Sequence, residues 1–98
     1  MSDDAETVKA LAAQFGMDYC SQIPQVIDPA IIALLPAHLA RRYSTVPLAR
    51  DGDRVFVAIS DPLDIDTVDS LRYILKLNVD PVLASKSEIG AALKRFYS

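Results

Sequence analysis

Apolar and polar residues alternate along this chain with two different periods, and each change of period marks a new element. Val8, Leu11, Ala12 and Phe15 fall at i, i+3, i+4 and i+7. That is one stripe of a 3.6-residue period, and it predicts an amphipathic helix over 4–15. Asp3 or Asp4 can cap its start, and Gly16 stands where a left-handed residue would end it. Residues 17–27 hold no sustained period, and Pro24 interrupts them. Asp28-Pro29 reads as an N-cap followed by proline at the first helical position. Ile31, Ile32, Leu34 and Leu35 make the short helix behind it apolar nearly all round, which predicts burial. Pro36 ends it, because the residue before a proline is pushed out of the α region. A second short helical turn, Ala37 to Tyr43, follows.

The period then drops to two. Thr45 to Arg50 and Arg54 to Ser60 flank Asp51-Gly52-Asp53, the signature of a hairpin whose glycine accepts positive φ. Val55, Val57 and Ile59 lie on one face of the second strand, Phe56 and Ala58 on the other. Apolar residues on both faces predict a central strand covered on two sides. Asp61-Pro62 breaks the strand, and residues 64–77 return to helical spacing through Val68, Leu71 and Leu75, with Ile65 and Ile74 widening the stripe. Val79 to Ala84 reads as a third strand, and Ser85-x-x-Glu88 as a capping box that opens a last helix striped by Ile89, Ala92, Leu93 and Phe96. A strand–helix–strand unit makes its two strands parallel. Pro47 and Pro81 each lack a ladder donor and so belong on edges. The expected fold is therefore α+β: a small three-stranded mixed sheet, hairpin plus strand–helix–strand crossover, packed with about four helices.

Composition narrows the class of function. At 98 residues, 51% hydrophobic and 23% charged, residues 1–98 are expected to form one folded domain. Net charge is −3, and Arg41-Arg42 and Lys94-Arg95 are the only adjacent bases. Nucleic acid is not an expected partner, since no cationic face can be assembled from so scattered a set. Cys20 is the sole cysteine, so no internal disulfide forms, which suits a reducing compartment. No apolar run approaches the roughly 20 residues of a membrane span. The Met1-Ser2-Asp3-Asp4 start lacks the basic region of a signal peptide. A cytoplasmic location without direct membrane insertion is expected.

Most catalytic constellations are absent. A P-loop needs G-x-x-x-x-G-K-[ST], and none of the three glycines, 16, 52 and 90, is followed by lysine. Cys20 and His38 supply at most two metal ligands at no familiar spacing, and are read as a packed thiol and a surface imidazole. Asp61, Asp64, Asp66 and Asp69 form a dense acidic stretch that lacks the EF-hand pattern. A turn followed by helix-start acids is the favoured reading, and a small enzyme would require two of these carboxylates to face each other in a cleft. Arg41, Arg42 and Tyr43 are the strongest candidates for ligand binding: two guanidiniums beside an aromatic ring can hold a phosphate or stack on a base. The favoured reading is nevertheless that the arginines complement a helix C-terminus while Tyr43 packs. No cofactor, metal or catalytic residue is assigned.

The run Leu35-Pro36-Ala37-His38-Leu39-Ala40-Arg41-Arg42-Tyr43-Ser44-Thr45-Val46-Pro47-Leu48 leads into Asp51-Gly52-Asp53, Val57-Ala58-Ile59-Ser60-Asp61-Pro62 and the closing Phe96-Tyr97. In this order, from about Gln14 to Tyr97, it resembles the N-terminal domain of type II secretion ATPases, which also precedes the motor in type IV pilus assembly ATPases. The resemblance implies a non-catalytic docking or regulatory module with a hexameric ATPase motor in cis. It also implies, as partner, the cytoplasmic part of an inner-membrane platform protein, and so a peripheral position at that membrane. Some members of the family bind cyclic di-GMP through arginine- and glycine-bearing segments entering this region. Here Lys9 to Gly16 resembles only the tail of such a segment, and its R-L-G opening is missing.

Overall fold

The computed structural model describes residues 5–97. Its elements run α1 (Ala5–Gln14), α2 (Pro29–Ile32), α3 (Ala37–Tyr43), β1 (Val46–Asp51), β2 (Arg54–Ile59), α4 (Ile65–Leu75), β3 (Asn78–Leu83) and α5 (Lys86–Tyr97). The Asp3 or Asp4 cap foreseen for α1 lies outside the described residues. The other end of that helix follows expectation: Gly16 adopts φ 66°, and the Met17 amide closes the last turn on the Ala12 carbonyl at 2.8 Å.

The three strands lie in the order β1-β2-β3, with β1 antiparallel and β3 parallel to β2. The mixed sheet is thus the one the pattern predicts. Both prolines sit on edge strands, Pro47 opposite Val57 and Pro81 opposite Val57 from the other side. A bulge between Pro47 and Ala49 further disrupts the β1 ladder. On the far side of β3 the chain after α1 adds a one-residue parallel bridge, Tyr19 to Leu83, with the Cys20 amide on the Leu83 carbonyl and the Leu83 amide on the Asp18 carbonyl. The segment read as irregular is briefly extended because β3 offers it those ladder groups.

Each face of β2 carries its own core. Val55, Val57 and Ile59 join Val79 and Leu83 beneath Val8 and Ala12 of α1 and Val68 and Leu71 of α4. On the opposite face Ala58 and Val46 meet Ile89 and Ala92 of α5 together with Ile23 and Ile27. Phe56 stays half-buried on that second face. Thr45, fully buried, donates its hydroxyl to the Ala58 carbonyl at 2.7 Å. Its amide closes α3 on the Ala40 carbonyl, which is why β1 starts at Val46, one residue later than the pattern suggests.

Two expectations are corrected. The second helix is a single turn without a fully buried residue; Leu35, which is fully buried, lies just past it, and Ile31, Ile32 and Leu34 are half-buried. One turn lying against β1 cannot turn all its sides inward, however apolar it is. The capping box is only half as expected. The Ser85 hydroxyl accepts the Glu88 amide at 3.2 Å, but the Glu88 carboxylate accepts the Ile23 amide at 2.9 Å. Glu88 therefore ties α5 to a loop 65 residues upstream.

Candidate functional site

The corner between α3 and α5 gathers the residues that the sequence singled out. Ser44 closes α3 in the left-handed conformation, φ 52°, and presents Arg41, Arg42 and Tyr43 in the last turn. Arg41 donates to the backbone carbonyl of Tyr97 at the end of α5. The Tyr97 hydroxyl in turn donates to the Ile32 carbonyl at 3.1 Å. Burial pushes the Tyr97 phenol up from 10.0 to about 12, because the anion would sit in a poorly solvated pocket. Arg42 is exposed and lies 5.6 Å from the centroid of the Tyr43 ring. Tyr43 is half-buried and, with Asp69, Ser70, Tyr73 and Ile74 of α4, lines a shallow hollow of about 360 Å³. Of the three predicted residues, one arginine is engaged by a helix terminus, one remains open to solvent, and the tyrosine does both jobs of packing and lining.

The acidic stretch serves local structure. Asp61 accepts the Leu63 amide at 2.9 Å; Asp64 caps α4 by accepting the Thr67 amide at 3.2 Å and the Thr67 hydroxyl at 2.6 Å; Asp69 pairs with Arg72 at 3.2 Å. Cys20 lies half-buried at the edge of the α5-side core, whereas His38 is exposed on α3. Burial, reinforced by the Glu88 carboxylate, raises the thiol pKa, against a smaller opposing effect of the Gln22 backbone. Among the described residues no three His, Cys, Asp or Glu side chains converge as metal ligands.

A second site was not foreseen. Phe15, Met17, Pro62, Ile65, Val68 and Arg72 are among the residues that line a groove of about 270 Å³ between the end of α1 and the start of α4. Phe15 and Ile65 belong to stripes expected to pack inward, yet they are 43% and 64% exposed. The adjoining Leu63 is 68% exposed. The sequence did hold a signal: the apolar arc of α4, from Ile65 round to Ile74, is broader than one sheet face can cover.

A mixed three-stranded sheet with helices on both faces is the fold of the N-terminal domain of XpsE, which superposes with a TM-score of 0.76 at 18% identity over 99% of this chain and 68% of that one. The solved structure of MshE with cdg superposes with a TM-score of 0.84 at 25% identity, over 96% of this chain and 68% of that one. The family model described as MshEN domain matches residues 15–98, and the chain belongs to that family. Curated relatives include the type IV pilus assembly ATPase PilB of Myxococcus xanthus, 30% identical over 96 residues, and that of Thermus thermophilus, 35% identical over 94. These matches take in 98% and 91% of this chain but 17% and 11% of the relatives, so the chain spans a minor part of their length. A bacteriophage adsorption protein B of Escherichia coli also matches, at 27% identity over 95% of this chain and 12% of that protein. The similarity to pilus assembly ATPases falls on their N-terminal regions. Among the described residues, no helix is long and apolar enough to cross a membrane.

Proposed function

We propose that residues 1–98 form a non-catalytic protein-interaction domain that couples a hexameric secretion or pilus-assembly ATPase to its inner-membrane platform protein. The observation that carries this reading is the match of nearly the whole chain to the N-terminal regions of pilus assembly ATPases. The motor would follow in cis, and the domain would act in the cytoplasm, held at the membrane through its partner. Two uncovered apolar areas on α4 support an interaction role, because side chains such as Ile65 and Tyr73, 64% and 79% exposed, contribute little to this domain's own core. Titrating the chain with the cytoplasmic part of a platform protein tests the proposal: saturable binding is expected, and none at high micromolar concentration overturns it.

A second reading is a nucleotide-sensing module for cyclic di-GMP. It is favoured by the structural relative MshE, solved with cdg, which we read as that dinucleotide. In this chain Arg42 and Tyr43 would make the contacts, Arg42 to phosphate and Tyr43 to a base, with Arg41 fixing the helix end that presents them. Calorimetry with cyclic di-GMP decides it. Loss of binding in Arg42→Ala supports the assignment, and an unchanged affinity in an Arg41→Ala, Arg42→Ala double variant rejects it.

A further inference from the structure

We infer that the groove between α1 and α4 is the docking site for a basic amphipathic helix of a protein partner. The inference rests on the interaction role proposed above and gives it a place and a chemistry. Among the described residues, three of the six large exposed hydrophobics, Phe15, Leu63 and Ile65, stand in or beside this one groove. Its floor is built by Ile59 and Val68, which are buried, so the walls are held by the core itself. A ligand entering here meets a rigid apolar trough.

Charge selects the occupant. Asp64 lines the groove, and Asp18, Asp61 and Asp66 each adjoin a lining residue, namely Met17, Pro62 and Ile65. The cation among the lining residues is Arg72, whose guanidinium is already engaged by Asp69 and by the Val79 carbonyl at 3.1 Å. An apolar trough lined by Asp64, with three exposed acids next to its lining residues along the chain, fits a segment with an apolar stripe between flanking lysines or arginines. It disfavours a dianionic nucleotide, which places this site apart from the Arg42 corner.

The backbone of the occupant follows from the sheet edges. Strand addition at β1 meets Pro47, the bulge and α2; at β3 it meets Pro81 and the bridge already formed by Tyr19. A helix needs no ladder partner. Beside α4, which has 11 residues, a partner helix of about 12 residues would be some 18 Å long at about 1.5 Å per residue. Its apolar anchors would recur at i, i+3 or i+4, and i+7.

The test uses a synthetic helix-forming peptide of about 12 residues with leucines at that spacing and lysines on both flanks. Its titration into this chain, read by fluorescence anisotropy, is compared with the same peptide bearing glutamates in place of the lysines. Saturable binding of the lysine peptide is expected, weakening as salt screens these acids. The glutamate peptide should bind at least about tenfold more weakly. Ile65→Ser and Asp66→Lys, both surface changes, should each weaken the lysine peptide about tenfold, the first with unaltered melting temperature and the second with a fall of no more than a few degrees from the reversed charge at the start of α4. Equal binding of the two peptides, or wild-type affinity in both variants, overturns the inference. So does concentration-dependent self-association that Ile65→Ser abolishes, since the occupant would then be a second copy of the chain. The platform-protein titration separates the two claims. Binding that both variants leave unchanged overturns the groove alone, whereas absence of binding to the wild-type chain overturns the interaction role.

Discussion

The α3–α5 corner and the α1–α4 groove differ in what their conspicuous residues do. At the corner, charge that looks ligand-directed is partly taken up by the fold: Arg41 holds the Tyr97 carbonyl and the Tyr97 hydroxyl holds Ile32, while Arg42 stays open to solvent. At the groove, residues that look like ordinary core face water, with Phe15 and Ile65 uncovered. Residue type alone thus does not separate the two roles. A cation beside a helix end is easily absorbed by that fold's own orphan carbonyls, whereas an apolar residue that the fold leaves uncovered has no internal role to explain it.

The difference is most sharply broken along α4, whose two sides belong to different purposes. Leu71, fully buried on the sheet side, should cost about 2–5 kcal/mol when cut to alanine, since the lost methyl groups leave a cavity in a close-packed core. Ile65, six residues earlier on the same helix, should change stability by less than about 0.5 kcal/mol when replaced by serine. Urea unfolding of the two variants measures both. A large loss in Ile65→Ser would place that residue in the core and remove the contrast.

At the corner the two arginines should part company. Arg41→Ala should lose about 1 kcal/mol, the worth of one charge-assisted bond at a helix end that is exposed to water. Arg42→Ala should stay within about 0.5 kcal/mol, since its contact with the Tyr43 ring is exposed to water. Thermal melts of the pair report the split, and equal losses would mean that Arg41 is no strut.

Much of this fold is written in local punctuation. Asp28-Pro29, Pro36, Asp51-Gly52-Asp53 and Asp61-Pro62 each stop or start an element by a constraint within a few residues, so element order, mixed sheet and central β2 could all be read from the chain. The corner and the groove could not. Arg41 meets Tyr97 across 56 positions and Glu88 meets Ile23 across 65, and no local pattern encodes which carbonyl or amide will be nearby. Helical spacing says which side of α1 or α4 is apolar, but not how far the opposing sheet extends. Phe15 and Ile65 run past its margin.

Tyr97 sharpens the corner through pH. Its folded pKa is raised from 10.0 to about 12 by burial, so the folded chain holds the phenolic proton more tightly than the unfolded chain. The contribution to stability is complete below pH 10 and is lost as pH rises from there towards 12. Tyr97→Phe should remove that alkaline dependence and, by deleting the bond to Ile32, cost about 0.5–1.5 kcal/mol at neutral pH. Unfolding curves at pH 8 and pH 11 for both proteins check the claim, and a dependence unchanged in the variant would assign it to another group.

The smallest effects lie at the two helix ends. Ser44 closes α3 at the corner with φ 52°, and Lys76 closes α4 with φ 58°. A side chain in this left-handed region crowds its own carbonyl, and glycine relieves that at some entropic cost, leaving a net gain of about 0.5–1 kcal/mol. Ser44→Gly should realise the whole of it, because the side chain is exposed. Lys76→Gly should gain less, since its ammonium stands 5.3 Å from the Tyr73 ring centroid and an exposed cation–π contact is worth about 0.5 kcal/mol. The order of the two melting temperatures is therefore the informative readout. If Lys76→Gly stabilises as much as Ser44→Gly, the lysine contributes nothing to the Tyr73 surface, and the uncovered side of α4 owes its exposure to apolar excess alone.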